Sequence, residues 1–181
     1  LYAFDNKTVN EYQFNGTNKA THSVQFCIPD EKAFASFFTT WAMSVDAQLF
    51  GEKLGKFSEP VSQSLNAPVW YKNDWSNDNA FMLYQMEVND PAAYLKEFKS
   101  FSQKMAKKLG FENNSYGLAY PIVGKTAEFS HFVWIGSPNV EEALKRTKQM
   151  FADPLFAEFS KNVSGIRKVV NTTLSVRVMD F

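Results

Sequence analysis

"SHFVWIGSPNVEEALKR" (residues 130–146) decides how this chain is read. Its first half is a strand that is apolar on both faces. His131, Val133 and Ile135 point one way and Phe132 and Trp134 the other, because successive strand side chains alternate. A strand with one wet face alternates apolar with polar residues, so this one needs cover on both sides. Its second half supplies one cover. Asn139, followed three residues later by Glu142, is a capping-box variant. Val140, Ala143, Leu144, Thr147 and Met150 then recur at helical spacing.

The same plan of strand, polar cap and amphipathic helix is written three times: "HSVQFCIPDEKAFASFFTTWAMSVDAQLF" (22–50), "FMLYQMEVNDPAAYLKEFKSFSQKMAKKLG" (81–110) and "HFVWIGSPNVEEALKRTKQMFADPLFAEFSK" (131–161). Asp30 caps the first helix, whose apolar face is Phe34, Phe37, Phe38, Trp41, Val45 and Leu49. Asp90 caps the second and Pro91 takes its first position. Tyr94, Leu95, Phe98, Phe101, Met105 and Leu109 form its face, and Gly110 stops it. Asp153–Pro154 restarts a short helix after the third, with a bend near Ala152.

Return strands follow. "SYGLAYPIV" (115–123) comes after the second helix and "KVVNTTLSVRVM" (168–179) after the third; "APVWY" (67–71) is the best candidate after the first, with 51–66 read as loop. Residues 80–181 therefore spell a ferredoxin-like βαββαβ unit. Residues 1–72 read as an irregular N-terminal arm plus a first βαβ half, the two parts forming one compact structure. The expected fold class is α+β: ferredoxin-like repeats, an antiparallel sheet with helices on one face, and barrel-type packing of the second face on another sheet, from this chain or from a symmetry mate.

The tail "FADPLFAEFSKNVSGIRKVVNTTLSVRV" (151–178), with its Asp-Pro, short helix, loop and β-branched last strand, resembles small proteins of the dimeric α+β barrel superfamily, of the NIPSNAP and antibiotic-biosynthesis-monooxygenase kind. The resemblance covers about the last hundred residues. It implies the fold and a range of activities, from cofactor-independent oxygenases and haem-degrading enzymes to proteins without activity. The haem-degrading members use an Asn, Trp and His set. Here Trp134 and His131 face opposite sides of one strand, so that role is not carried over.

Composition narrows the partners. Lys plus Arg and Asp plus Glu are both 19, so no basic stripe is available to neutralise a nucleic-acid backbone. No apolar run reaches the roughly 20 residues that span a bilayer. A lone cysteine, Cys27, excludes an internal disulfide and, between Phe26 and Ile28, reads as a buried structural thiol. The first residue is Leu1 rather than Met, which favours an exported protein, periplasmic or secreted. Eighteen Phe residues provide aromatic surface for a core, a pocket or a subunit contact.

Chemistry-bearing residues are sparse. His22 and His131 head equivalent strands and are the candidates for paired imidazoles at a barrel mouth. Trp134, Tyr84, Tyr116 and Tyr120 are the candidates for binding a ligand. "NDWSNDNA" (73–80) sets Asp74, Ser76 and Asp78 at alternating positions, but Asn79 and Gln85 stand where a calcium loop needs Gly and Glu, so it reads as a polar turn. No metal site and no cofactor are expected, and no nucleophile, phosphate-loop or dinucleotide motif occurs. Two functions follow. One is a non-enzymatic barrel protein, a possible homodimer, that oligomerises or holds a small apolar molecule. The alternative is a cofactor-independent monooxygenase acting on an aromatic or polyketide-like small molecule. A ligand-sized cavity containing His or Tyr separates them.

Overall fold

The computed structural model describes residues 6–124 and 129–180, with side chains from residue 9 onward. Leu1, on which the expectation of export rests, lies outside the described residues. The elements in chain order are β1 (Asn6–Phe14), β2 (His22–Cys27), α1 (Glu31–Thr40), α2 (Val45–Leu54), β3 (Leu65–Lys72), β4 (Ala80–Val88), α3 (Pro91–Leu109), β5 (Tyr116–Val123), β6 (His131–Ser137), α4 (Val140–Phe151), α5 (Pro154–Asn162) and β7 (Arg167–Asp180).

The caps are where side-chain chemistry demands them. Asp30 Oδ1 accepts from Ala33 N at 2.7 Å, Asp90 Oδ1 from Ala93 N at 3.0 Å and Asn139 Oδ1 from Glu142 N at 2.9 Å. Gly110 ends α3 at φ 69°, a left-handed position that costs glycine nothing. Asp153 opens α5 by accepting from Leu155 N at 2.9 Å, so the expected bend falls between Phe151 and Pro154.

The first helix departs from its reading. The apolar rhythm from Phe34 to Leu49 predicts one helix; the chain makes two, broken at residues 41–44. The hydroxyls of Thr39 and Thr40 donate back to the carbonyls of Ala35 and Ser36, and Ser44 Oγ accepts from Ala47 N at 3.1 Å, starting α2 afresh. The stretch read as loop from residue 51 is helical as far as Leu54.

All seven described strands lie in one antiparallel sheet, ordered β2-β1-β7-β4-β6-β5-β3. Its centre, β7-β4-β6-β5, is the ferredoxin-like core expected over 80–181. The N-terminal segment behaves otherwise. The arm is no arm: it contains β1, which pairs with both β2 and β7. The two strands of the presumed first βαβ half are not neighbours, because β2 forms one edge of the sheet and β3 the other.

One face carries α3, α4 and α5. Met86, Val88, Leu118 and Val133 from the strands pack with Tyr94, Phe98, Phe159 and Val163 from above. Met105, Phe111, Tyr116 and Met150 continue this core towards the other end. Among the described residues no second sheet covers the other face. The sheet curls into a half-barrel, and on its helix-free inner side Phe81, Trp134, Thr173 and Ser175 are nonetheless buried. That answers the demand of the two-faced strand β6.

Candidate functional site: the inner face of the half-barrel

Strand register fixes what lies side by side on the inner face. One row runs Thr173, Leu83, Trp134, Gly117 and Tyr71 across five strands. The next runs Asn171, Gln85, Phe132 and Ala119. A third holds Tyr12, Ser175, Phe81 and Gly136. Large aromatic rings thus alternate with glycine or alanine on the neighbouring strand. A Cβ on Gly117 would sit 2.4 Å from Cη2 of Trp134, so the indole lies flat over the place where a side chain is missing. This is why Trp134 is only 9 % exposed with no second sheet above it.

The ends of the trough are closed by local polar structure. At one end, Arg177 donates to the carbonyl of Trp75 and its guanidinium lies 5.7 Å from the Phe81 ring centre. The loop bearing Trp75 is held from behind by Asp78, which is fully buried. Asp78 Oδ1 accepts from Asn114 Nδ2 at 2.6 Å and its Oδ2 from Ser115 N at 2.8 Å. Asn114 Oδ1 in turn accepts from Arg146 Nη1 at 2.9 Å. At the other end, Asn171 donates to Gln85 Oε1 at 3.0 Å while its own carbonyl oxygen accepts from Thr17 N at 3.2 Å, tying the β1–β2 turn to the sheet. Phe81, Trp134, Thr173 and Ser175 form a buried floor; Tyr12, Leu83, Gln85, Phe132 and Asn171 are half-buried and reachable. The surface is apolar and aromatic, with carboxamides and hydroxyls as its polar handles.

The residues singled out from sequence do not converge. Trp134 belongs to the inner face. Tyr84 and Tyr116 lie on the outer face beneath the helices. Burial pushes both phenols up from their ordinary value, opposed at Tyr84 by the nearby Thr147 hydroxyl and reinforced at Tyr116 by Glu112, so neither is disposed to ionise. His131 is also on the outer face, with its Nδ1 3.0 Å from Ser130 Oγ and its ring 6.1 Å from that of the exposed Tyr120. His22 is exposed on the edge strand, its Nδ1 3.1 Å from Thr21 Oγ1.

The imidazoles are not a pair. Register carries His22 through Glu11, Val176 and Ala80 to Ser137, six residues along β6 from His131 and hence about 20 Å away in the strand direction alone. Cys27 is half-buried rather than buried. In the loop read as a polar turn, the Ser76 hydroxyl and, after it, Ser76 N at 2.9 Å donate to Asp74 Oδ1 and hold its carboxyl below the usual carboxylate range. Asp78, two residues on, is instead the buried anchor just described. No group of three or more His, Cys, Asp or Glu side chains able to hold a metal occurs among the described residues.

Between sheet and helices, two small cavities lie among the described residues. One, about 20 Å³, is lined by Phe98, Met105, Tyr116 and Ile135; the other, about 10 Å³, by Met82, Ala143, Arg146 and Thr147. Each is the size of a single water, not of a ligand. The helix-covered side is a packed core. No described helix is long and apolar enough to cross a membrane.

No sequence family matches the chain and no curated protein matches it. Solved structures do. An anthrone oxidase-like protein superposes at TM-score 0.59 with 8 % identity, over 98 % of this chain and 79 % of that one. A candidate monooxygenase from Lactobacillus acidophilus NCFM superposes at 0.55 with 14 % identity, over 98 % and 80 %. Another, from Fusobacterium nucleatum subsp. nucleatum ATCC 25586, superposes at 0.53 with 13 % identity, over 97 % and 81 %. At such identities the likeness is one of fold: the chain is an α+β half-barrel of the architecture these proteins share.

Proposed function

We propose that the protein takes a planar aromatic small molecule on the inner face of its half-barrel and oxidises it with dioxygen, as a cofactor-independent monooxygenase of the antibiotic-biosynthesis kind. The observation that carries the reading is the trough itself. Phe132 and Leu83 offer apolar surface over the buried rings of Trp134 and Phe81, and Gln85 and Asn171 place two carboxamides beside it. Three structural neighbours described as oxygen-using proteins support the choice of chemistry.

Such a reaction needs no external reductant when the substrate is electron-rich. An acidic methylene loses a proton, the carbanion gives its electrons to dioxygen, one oxygen atom stays as the new carbonyl and the other leaves as water. The protein's part would be to stack the rings, exclude water and stabilise the enolate or phenolate oxygen with amide donors. In this reading the protein is also a homo-oligomer.

A second reading is binding without turnover. It is favoured by the position of both imidazoles, which lie on the outer face, so the trough has no histidine to act as general base. The two readings separate in one experiment. Anthrone is added to the protein while tryptophan fluorescence and dissolved oxygen are followed together. Quenching with stoichiometric oxygen uptake above the uncatalysed rate, both lost in Trp134→Leu, is the expected result. Quenching without uptake selects the binding reading, and neither signal refutes the trough as a ligand site.

A further inference from the structure

We infer that the molecule in the trough is an aromatic acid and that Arg177 selects it by binding its carboxylate, a step that rests on the ligand reading of the inner face. Arg177 alternates along β7 with Ser175, Thr173 and Asn171, so it stands on the same face as they do, at the end of the trough. Its guanidinium lies 5.7 Å from the centre of the Phe81 ring. Its side chain is only 7 % exposed. A cation placed so deep is unfavourable unless its charge and its donors are met.

Here they are met in part. A guanidinium offers several N–H donors in a planar fork. Nη2 donates to the carbonyl of Trp75 and Nη1 to Asp180 Oδ2 at 3.3 Å. Nε is buried and has no hydrogen-bond partner among the described residues. Asp180 is half exposed, so water screens its pairing with Arg177 and the pair contributes little. Asp78, at the same end of the trough, is committed elsewhere: its two oxygens accept from Asn114 Nδ2 and Ser115 N, and Asn114 is held by Arg146. The guanidinium therefore keeps both charge and a donor for a ligand.

Its neighbours fit the same occupant. Register sets the buried Asn10 opposite Arg177 and the half-buried Tyr12 opposite Ser175. These are neutral polar groups that can donate to an anion without adding charge. The inner face is thus polar along β1 and β7 and apolar along β4 and β6, where Phe81, Leu83 and Phe132 lie. An aromatic acid is divided in the same way. Successive rows on one face of a sheet are about 7 Å apart. Rings over Leu83 and Phe132 therefore bring a carboxylate attached to them to the Phe81 row, beside the guanidinium. One guanidinium balances the single charge of a carboxylate, not the double charge of a phosphate monoester, and its planar fork matches two carboxylate oxygens.

Isothermal titration calorimetry at neutral pH, with 2-naphthoate and its uncharged counterpart 2-naphthamide, tests the assignment. The wild type should bind the carboxylate about 10-fold or more tighter than the carboxamide. In Arg177→Gln that preference should fall to within about 2-fold. If 2-naphthamide binds and 2-naphthoate binds no tighter, the trough stands as a ligand site and the role of Arg177 is overturned. If neither naphthalene binds, the ligand reading itself fails and this assignment with it. A preference that survives in Arg177→Gln, or tighter binding of 2-naphthyl phosphate than of 2-naphthoate, also overturns it. If Arg177→Gln does not fold, Asp180→Asn at its exposed position decides. Removing the competing carboxylate should raise the preference for 2-naphthoate by about 2- to 5-fold, and an unchanged preference overturns the assignment.

Discussion

Trp134 and Gly117 occupy one site between them: the indole of β6 fills the space that a side chain on β5 would take. A Cβ at residue 117 would meet Cη2 and Cζ2 of Trp134 at 2.4 and 2.6 Å and the carbonyl oxygen of Trp70 at 2.7 Å. The ring could move but the carbonyl could not, so Gly117→Ala should destabilise the protein by about 1–3 kcal/mol through overpacking. Trp134→Ala should cost about 3–5 kcal/mol. Chemical denaturation of both variants checks this, and an unchanged midpoint for Gly117→Ala would mean that the two residues are not in contact.

Asp78 should matter more than an acidic residue in a polar turn normally does. Removing its carboxylate in Asp78→Ala leaves Asn114 Nδ2 and Ser115 N buried without their acceptor, at a cost of about 2–3 kcal/mol. The loss should be local as well as global, because the loop it anchors carries the Trp75 carbonyl that Arg177 uses. Faster amide exchange at Ser115 and Asn79 than in β4 would show it. Asp74→Ala, four residues away in the same loop and exposed, is the comparison and should change the midpoint by less than about 0.5 kcal/mol.

Tyr94 sets an alkaline limit. Burial pushes its phenol up to about 12, against an ordinary value of 10, with Arg167 pulling the other way. An acid whose folded pKa is raised contributes stability that is complete below its unfolded value and is lost as pH rises towards the folded one. Stability should therefore fall between pH 10 and about 12, by on the order of 2–3 kcal/mol. Tyr94→Phe should lack this component of the fall. Parallel alkaline profiles for the two proteins would rule out the assignment.

At the acid end the corresponding pair is Lys108 and Asp153, 2.5 Å apart, which joins α3 to the start of α5. The hydrogen bond from Lys108, with that from Leu155 N, holds the Asp153 carboxyl below its ordinary value. A depressed carboxyl contributes stability above its unfolded value and loses it as pH falls through the folded one. The difference in melting temperature between wild type and Lys108→Met should accordingly be present at neutral pH and shrink below about pH 4. A difference that grows on acidification would contradict the pairing.

What could be read from the chain divides along sequence separation. The helix caps at Asp30, Asp90, Asn139 and Asp153 and the stop at Gly110 are local chemistry, and all are where the residues put them. So is the double-faced character of β6. β1 was illegible because "NKTVNEYQF" has no apolar alternation; its backbone is paired on one side by β2 and on the other by β7, some 165 residues later, which is long enough to pair with β4 as well. The break at residues 41–44 was hidden by an apolar rhythm that runs through it. The burial of Asp78 depends on Gly136 lacking a side chain at the point where the carboxylate lies, with the place of its Cβ 2.1 Å from Oδ2, a relation only the strand order reveals. The trough was missed for the same reason. Its members, Trp134, Gly117, Gln85 and Asn171, come from four strands, and the signal available in sequence was small residues facing large aromatic ones.

The account stands on the inner face being the side that a ligand meets. Two-dimensional NMR with a planar aromatic probe, 2-naphthol, tests that directly. The predicted result is saturable shifts of the Trp134 indole N–H and of the Gln85 and Asn171 side-chain amides, with the amides of α3 and α4 unmoved. Shifts concentrated at Ser102, Met105 and Thr147 instead would place the ligand under the helices and contradict it.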